Sequence, residues 1–195
     1  MAGDKQHQQL MTAAIERDAE GQQALLDGDG PSAASAFADA AELYRRSWEA
    51  APPGGYGRLV GTLKAAVLAG GGEQEADYVR SALPAGADGS ATAAYALAIA
   101  ALVRGEDDDV APLSATMRDG SDAFGRTADG LEALAAGDRE AYTAAVAAIV
   151  ADFEGRERHL TGIPIADTAV MLERLAARRG LAAAVQSPFL PRPAP

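Results

Sequence analysis

The densest polar cluster in the chain is Asp107-Asp108-Asp109, three adjacent carboxylates just ahead of an apolar stretch. Neighbouring carboxylates can cap a helix, hold a cation or face a basic partner. At a helix N-terminus the dipole stabilises an exposed carboxylate by about 0.3–1 kcal/mol, which accounts for at least one of the three. No further oxygen ligand stands close by in sequence to complete a coordination shell. Capping and solvation are the first reading of the triplet and contact with a basic protein the second, so Asp107, Asp108 and Asp109 are the expected partner-binding residues.

Other chemistry is excluded by residue type and spacing. His7 and His159 lie far apart in the chain, and neither sits at ligand spacing with another histidine or a carboxylate pair. His159 follows the charged run Arg156 to Arg158 and reads as a solvated helix end. GGYGRLVG, residues 54–61, has part of a dinucleotide-binding glycine pattern, but Val60 stands at the third glycine and no strand precedes it. DGDG, residues 27–30, lacks the later ligands and closing Glu of a calcium loop. No serine sits in G-x-S-x-G. The absence of cysteine removes disulfides, thiolate metal sites and a thiol nucleophile. The 28 acids can be paired for acid-base catalysis in many ways, so sequence alone selects no pair. The expectation is a non-enzymatic protein with no cofactor and no metal.

Elements that would position these residues are helical throughout. A chain of 195 residues fits a single domain over 1–195, and with aromatics at 5% and alanine abundant, closely spaced helices suit its core. Helical periodicity predicts a first helix from near Lys5 to Leu26, with Met11, Ile15, Ala19 and Leu26 near one stripe, and Gly21 allowing a close helix crossing. Pro31 and Ser32 open a second, in which Ala33, Phe37, Ala40, Tyr44 and Trp48 recur every three or four residues. PPGG ends it. A third carries Leu59, Leu63 and Val67; a short fourth follows Gly70 to Gly72. Ser90 is a candidate N-cap for a fifth through Val103, and the acidic triplet precedes a sixth around Val110 to Arg118. Ser121 and Asp138 cap a seventh and an eighth, the latter with Tyr142, Val146, Ile149 and Phe153 inward.

The ninth helix is placed from Pro164, whose fixed φ suits a first turn, to Gly180. Ile165, Ala169, Leu172 and Ala176 form its apolar stripe, and Asp167, Arg174 and Arg178 are assigned to the opposite, water-facing side. Beyond Gly180, Pro188 and Pro191 force an extended tail over 181–195, anchored by Val185, Phe189 and Leu190. No stretch alternates with a period of two, so no core sheet is expected. Gly28-Asp29, Gly105-Glu106 and Gly137-Asp138 each follow an apolar helix and read as hairpin tips, with glycine closing one helix and the acid capping the next. The 32 residues from Gly105 to Gly137 fit one hairpin repeat of about 34 residues, and the 77 from Gly28 to Gly105 could hold about two irregular ones. Gly21, Ala33, Phe37 and Ala40 match part of the tetratricopeptide small-large pattern, with Arg45 where that repeat has proline and Ala24 where it has an aromatic. The expected fold class is all-α: antiparallel hairpins stacked in a tetratricopeptide-like array of about nine helices.

Over residues 130–191, LEALAAGDREAYTAAVAAIVADFEGRE followed by a helix, the Arg179-Gly180-Leu181 step, a short strand-like piece and SPFLP resembles the C-terminal end of an all-helical class of immunity proteins from bacterial polymorphic-toxin systems. That resemblance implies a non-enzymatic protein that binds a cognate toxin and blocks it. Net charge is -11, with two lysines against fifteen arginines. Such a chain repels polyphosphate, so nucleic acid is not an expected partner. Acidity suits a basic protein partner, a toxin domain included, and equally suits solubility or a saline habitat. Two other classes stay open: a generic tetratricopeptide-like scaffold for another protein, and an enzyme or small-ligand binder in a helical pocket, for which no motif speaks. The start of the sequence lacks a signal-peptide layout and the longest apolar runs fall short of a bilayer span, so a cytoplasmic protein without membrane contact is expected.

Overall fold

In the computed structural model, which describes residues 2–192, nine α-helices follow one another with no strand among the described residues. They are α1 (Ala2–Leu26), α2 (Gly30–Ala50), α3 (Gly57–Ala69), α4 (Glu73–Ala82), α5 (Ala91–Arg104), α6 (Val110–Arg118), α7 (Asp122–Ala136), α8 (Arg139–Glu154) and α9 (Asp167–Arg178). The first eight form a row of antiparallel hairpins. Tips at Gly105 and Gly137 have left-handed glycines, φ 74° and 69°, with the amide of the next residue, Glu106 or Asp138, closing on the carbonyl of Ala101 or Ala133. Asp29 and Asp138 cap the following helices, accepting from the Ser32 and Ala141 amides at 3.1 and 3.0 Å. Glu106 and Ser90 make no such side-chain cap, whereas Ser121 does, at 3.3 Å from the Phe124 amide.

Small residues set the spacing of the row. A Cβ on Gly21 would stand 2.8 Å from the Phe37 ring, and one on Gly61 2.9 Å from the Tyr44 ring, so α1 and α3 approach α2 at distances only glycine allows. Alanines do the same inside α5, where Ala93, Ala94, Ala96, Ala98, Ala100 and Ala101 are all fully buried. On α1 the buried stripe is not the predicted one. Ala14, Gly21, Gln22 and Leu25 face inward while Met11, Ile15, Ala19 and Leu26 are half-buried, because the close approach at Gly21 turns that side of the helix to α2.

Helix α9 departs most from the sequence expectation. It starts at Asp167 rather than near Pro164, since the chain is held in a tight turn before it, the Ile165 amide donating to the Ile163 carbonyl at 2.9 Å and the Ala166 amide to the Phe189 carbonyl at 2.8 Å. It is not half-exposed. Beyond the predicted stripe, Thr168, Val170, Met171 and Leu175 are buried too, because α9 packs against α3, α7 and α8 on the inner side of the row. The segment 181–192 is irregular and lies back over the helices. Leu181, Val185, Phe189 and Leu190 pack against the core, and Glu173 accepts from the Ala183 and Ala184 amides at 2.9 and 3.1 Å and from the Tyr142 hydroxyl at 2.8 Å. Residues 193–195 of the predicted tail lie outside the described residues.

Candidate functional site

The inner side of the row retains a cavity of about 240 Å³ where α1, α3, α5, α7 and α8 converge on the α8–α9 connection and the first turn of α9. Lys64 comes from the middle of α3, and its ammonium donates to Asp167 Oδ2 at 2.5 Å and Thr168 Oγ1 at 3.1 Å. Asp167 was assigned to a water-facing side by its spacing. Its carboxylate instead turns inward, because the side of α9 that carries it abuts α3. Asp18 reaches the same region from α1, accepting from the Tyr44 hydroxyl and the Gln22 amide, both at 3.1 Å.

The electrostatics follow from burial. Desolvation, reinforced by the Asp167 charge, pushes the Asp18 carboxyl up to about 6, against the opposing pull of Lys64 and its hydrogen bonds. Burial, the largest single influence, would lower the Lys64 ammonium, but the charge and hydrogen bond of Asp167 together with Tyr95 and Asp18 outweigh it and the net shift is upward, so this cation stays charged. Tyr95 lines the cavity and its buried hydroxyl has no partner at normal hydrogen-bond distance; the nearest candidate is the Thr168 hydroxyl, which accepts from Lys64, keeps its own proton to donate, and lies close enough to oppose the upward push of burial on the Tyr95 hydroxyl. A buried hydroxyl without a partner is uncommon, since its desolvation is uncompensated by about 1–3 kcal/mol.

The other end of the cavity has the opposite balance. Arg126 from α7 and Arg156, just past the end of α8, both hold Asp152, Arg126 on one carboxylate oxygen and Arg156 on the other at 2.5 Å. The Arg156 guanidinium also lies over the Phe153 ring, 3.7 Å from its centroid. His159, read from sequence as a solvated helix end, is neither helical nor freely solvated. Helix α8 stops at Glu154, and the His159 ring sits between Phe153 and Phe189, with centroids 6.2 and 5.7 Å away and a buried Nδ1 that has no partner. The cavity thus pairs two carboxylates with one ammonium at one end and two guanidiniums with one carboxylate at the other.

Asp107, Asp108 and Asp109 are on a different part of the molecule, in a single 3₁₀ turn leading into α6. Asp107 accepts from Arg179 at 2.8 Å and Asp109 from Arg80 at 3.0 Å, while Asp108 is exposed. Arg179 also donates to the Leu102 carbonyl, Arg178 to the Gly71 carbonyl and Arg139 to the Gly180 carbonyl, at 2.7, 2.8 and 2.5 Å. The end of α9 therefore gathers three hairpin tips onto one edge, where Glu73, Asp108, Asp109, Asp138 and Glu140 are exposed. His7 belongs to neither place. It is buried against Arg58 NH2 at 3.0 Å, with its carbonyl accepting from Ser47 Oγ at 2.7 Å.

Sequence reasoning missed Asp18, Lys64, Tyr95, Asp152 and Asp167 as site residues. One signal was available: Lys64, one of only two lysines, stands inside the apolar helix GRLVGTLKAAVLA. A cation embedded in such a stretch needs a buried partner. Among the described residues no group of three or more metal-binding side chains comes together, and no helix is long and apolar enough to cross a membrane. Comparison with known proteins gives no match to a family model, to a curated protein or to a solved structure.

Proposed function

We propose that this chain is a non-enzymatic protein-binding module, an immunity protein that neutralises a basic toxin domain. The observation that carries this reading is the charge of the edge built by the hairpin tips. Its arginines are turned onto backbone carbonyls and onto Glu73, Asp107 and Asp109, which leaves Asp108, Asp138 and Glu140 exposed beside these tips without an arginine partner among the described residues. A rim of one sign steers an oppositely charged partner and accelerates encounter more than it deepens affinity. The net charge of -11 extends the same field over the molecule.

The test pairs the chain with the product of its neighbouring gene, which this reading expects to be a toxin with a basic domain. Co-expression is expected to relieve growth inhibition by that domain and to yield a stoichiometric complex. Asp107 is tied to Arg179 and Asp109 to Arg80, so the informative variant combines Asp108→Asn and Glu140→Gln. At low salt it is expected to associate several-fold more slowly, with the difference vanishing as salt shortens the screening length below about 8 Å. No relief of growth inhibition and no complex would discard the reading; unchanged association at low salt would remove the rim from it.

A further inference from the structure

The inner cavity is independent of the acidic rim, and its polar groups are not accounted for by folding. Ionic groups withdrawn from water for stability alone are expected to be paired, and the charges around this cavity are half-buried, with Arg156 exposed at its mouth. Here the Asp18–Asp167 end has a carboxylate more than Lys64 neutralises, and the Arg126–Arg156 end has a guanidinium more than Asp152 neutralises. Between these ends the Tyr95 hydroxyl, on a residue only 5% exposed, lines the space without a hydrogen bond. The rest of the wall combines apolar side chains, Phe124, Ile149 and Ile163 among them, with the polar Gln22, His159 and Thr161.

We propose that this cavity binds a small zwitterion of amino-acid or short-peptide size, its ammonium at Asp18 and Asp167 and its carboxylate at Arg126 and Arg156. An ammonium placed there supplies the positive charge the first end lacks, and a carboxylate supplies the negative charge the second lacks. The Tyr95 hydroxyl gains a polar partner. An apolar side chain on the ligand fits the apolar part of the remaining wall, and the volume limits it to a few residues at most. A free amine or a free carboxylate satisfies one end only, so binding is expected to require both groups on one molecule.

The full chain is titrated by calorimetry with L-phenylalanine, glycyl-leucine, phenethylamine and 3-phenylpropionate. At least one of the first two is expected to bind, and the two single-charge analogues to bind at least about tenfold more weakly, equivalent to about 1.4 kcal/mol. Preference for one zwitterion over the other identifies whether amino acid or peptide is the occupant. Asp18→Asn and Arg126→Gln are each expected to weaken binding about tenfold or more while the circular dichroism spectrum is unchanged. Should Arg126→Gln fail to fold, Tyr95→Phe serves in its place, as it removes only the unpartnered hydroxyl, and a several-fold loss is expected. Absence of zwitterion binding, equal binding of the single-charge analogues, or undiminished binding by the folded variants would overturn the proposal.

Discussion

A carboxylate enclosed by Tyr44, Gln22 and the Lys64–Asp167 pair must be desolvated before it carries charge, and this sets the behaviour of Asp18. Its folded pKa of about 6 lies above the unfolded value of 3.8, so the native state binds this proton more tightly than the unfolded chain. Stability therefore rises as pH falls from about 6 towards 4, opposite in sign to an ordinary paired carboxylate. The contribution at neutral pH is unfavourable by about 3 kcal/mol. Urea melts of the native chain are expected to show higher stability at about pH 5 than at pH 7.5, because at the lower pH the folded carboxyl is mostly protonated while the unfolded one is not. Asp18→Asn is expected to abolish most of that difference and to be the more stable protein at pH 7.5. A native-chain profile that falls on acidification through this window would contradict the assignment. Asp18 was concealed in the sequence because the stripe chosen for the first helix was rotated away from the residues that are buried.

Among the helices, close approach is decided by glycines within regular structure. Gly21→Ala would gain about 1 kcal/mol of helix propensity, yet its methyl would meet the Phe37 ring at 2.8 Å. Rings in a packed core do not yield by that amount, and overpacking of this kind costs about 1–3 kcal/mol. A net loss in urea denaturation is expected. Gly125→Ala in α7, where nothing lies within 4 Å, is expected to be neutral or stabilising by up to about 1 kcal/mol, and this contrast separates crowding from propensity. Element order and type were legible to within a few residues, because periodicity, caps and glycine tips are local signals. The use of Gly21 for a close crossing was legible too. What was not legible was α9: its spacing predicted one wet face, but spacing records an average polarity and cannot register that Asp167 has a buried cation waiting on a helix about a hundred residues earlier.

For the molecule as a whole, α9 and the segment after it complete what the row of hairpins leaves open. Glu173 gathers the Ala183 and Ala184 amides and the Tyr142 hydroxyl, holding Ala184 at a φ of 52° that a residue with a Cβ adopts at a cost of about 1–2 kcal/mol. Apolar anchors at Val185, Phe189 and Leu190 outweigh that strain by covering the core. Ending the chain after Gly180 is expected to lower the melting temperature by several degrees while leaving far-ultraviolet dichroism largely helical. An unchanged melting temperature with loss of partner binding would assign this segment to recognition instead.

The arginines at the end of α9 also bear on how the chain is made. Arg178 and Arg179 fasten the tips following α3 and α5, and α9 itself covers α3, α7 and α8. Eight helices must leave the ribosome before the ninth exists. Until it docks, the nascent row is an open trough with an apolar lining and several unfastened turns. Contacts so distant in sequence form slowly, because a long loop must close first. Final consolidation is therefore a late event in synthesis, and the trough is a surface that a holding chaperone would recognise before the protein's own helix displaces it.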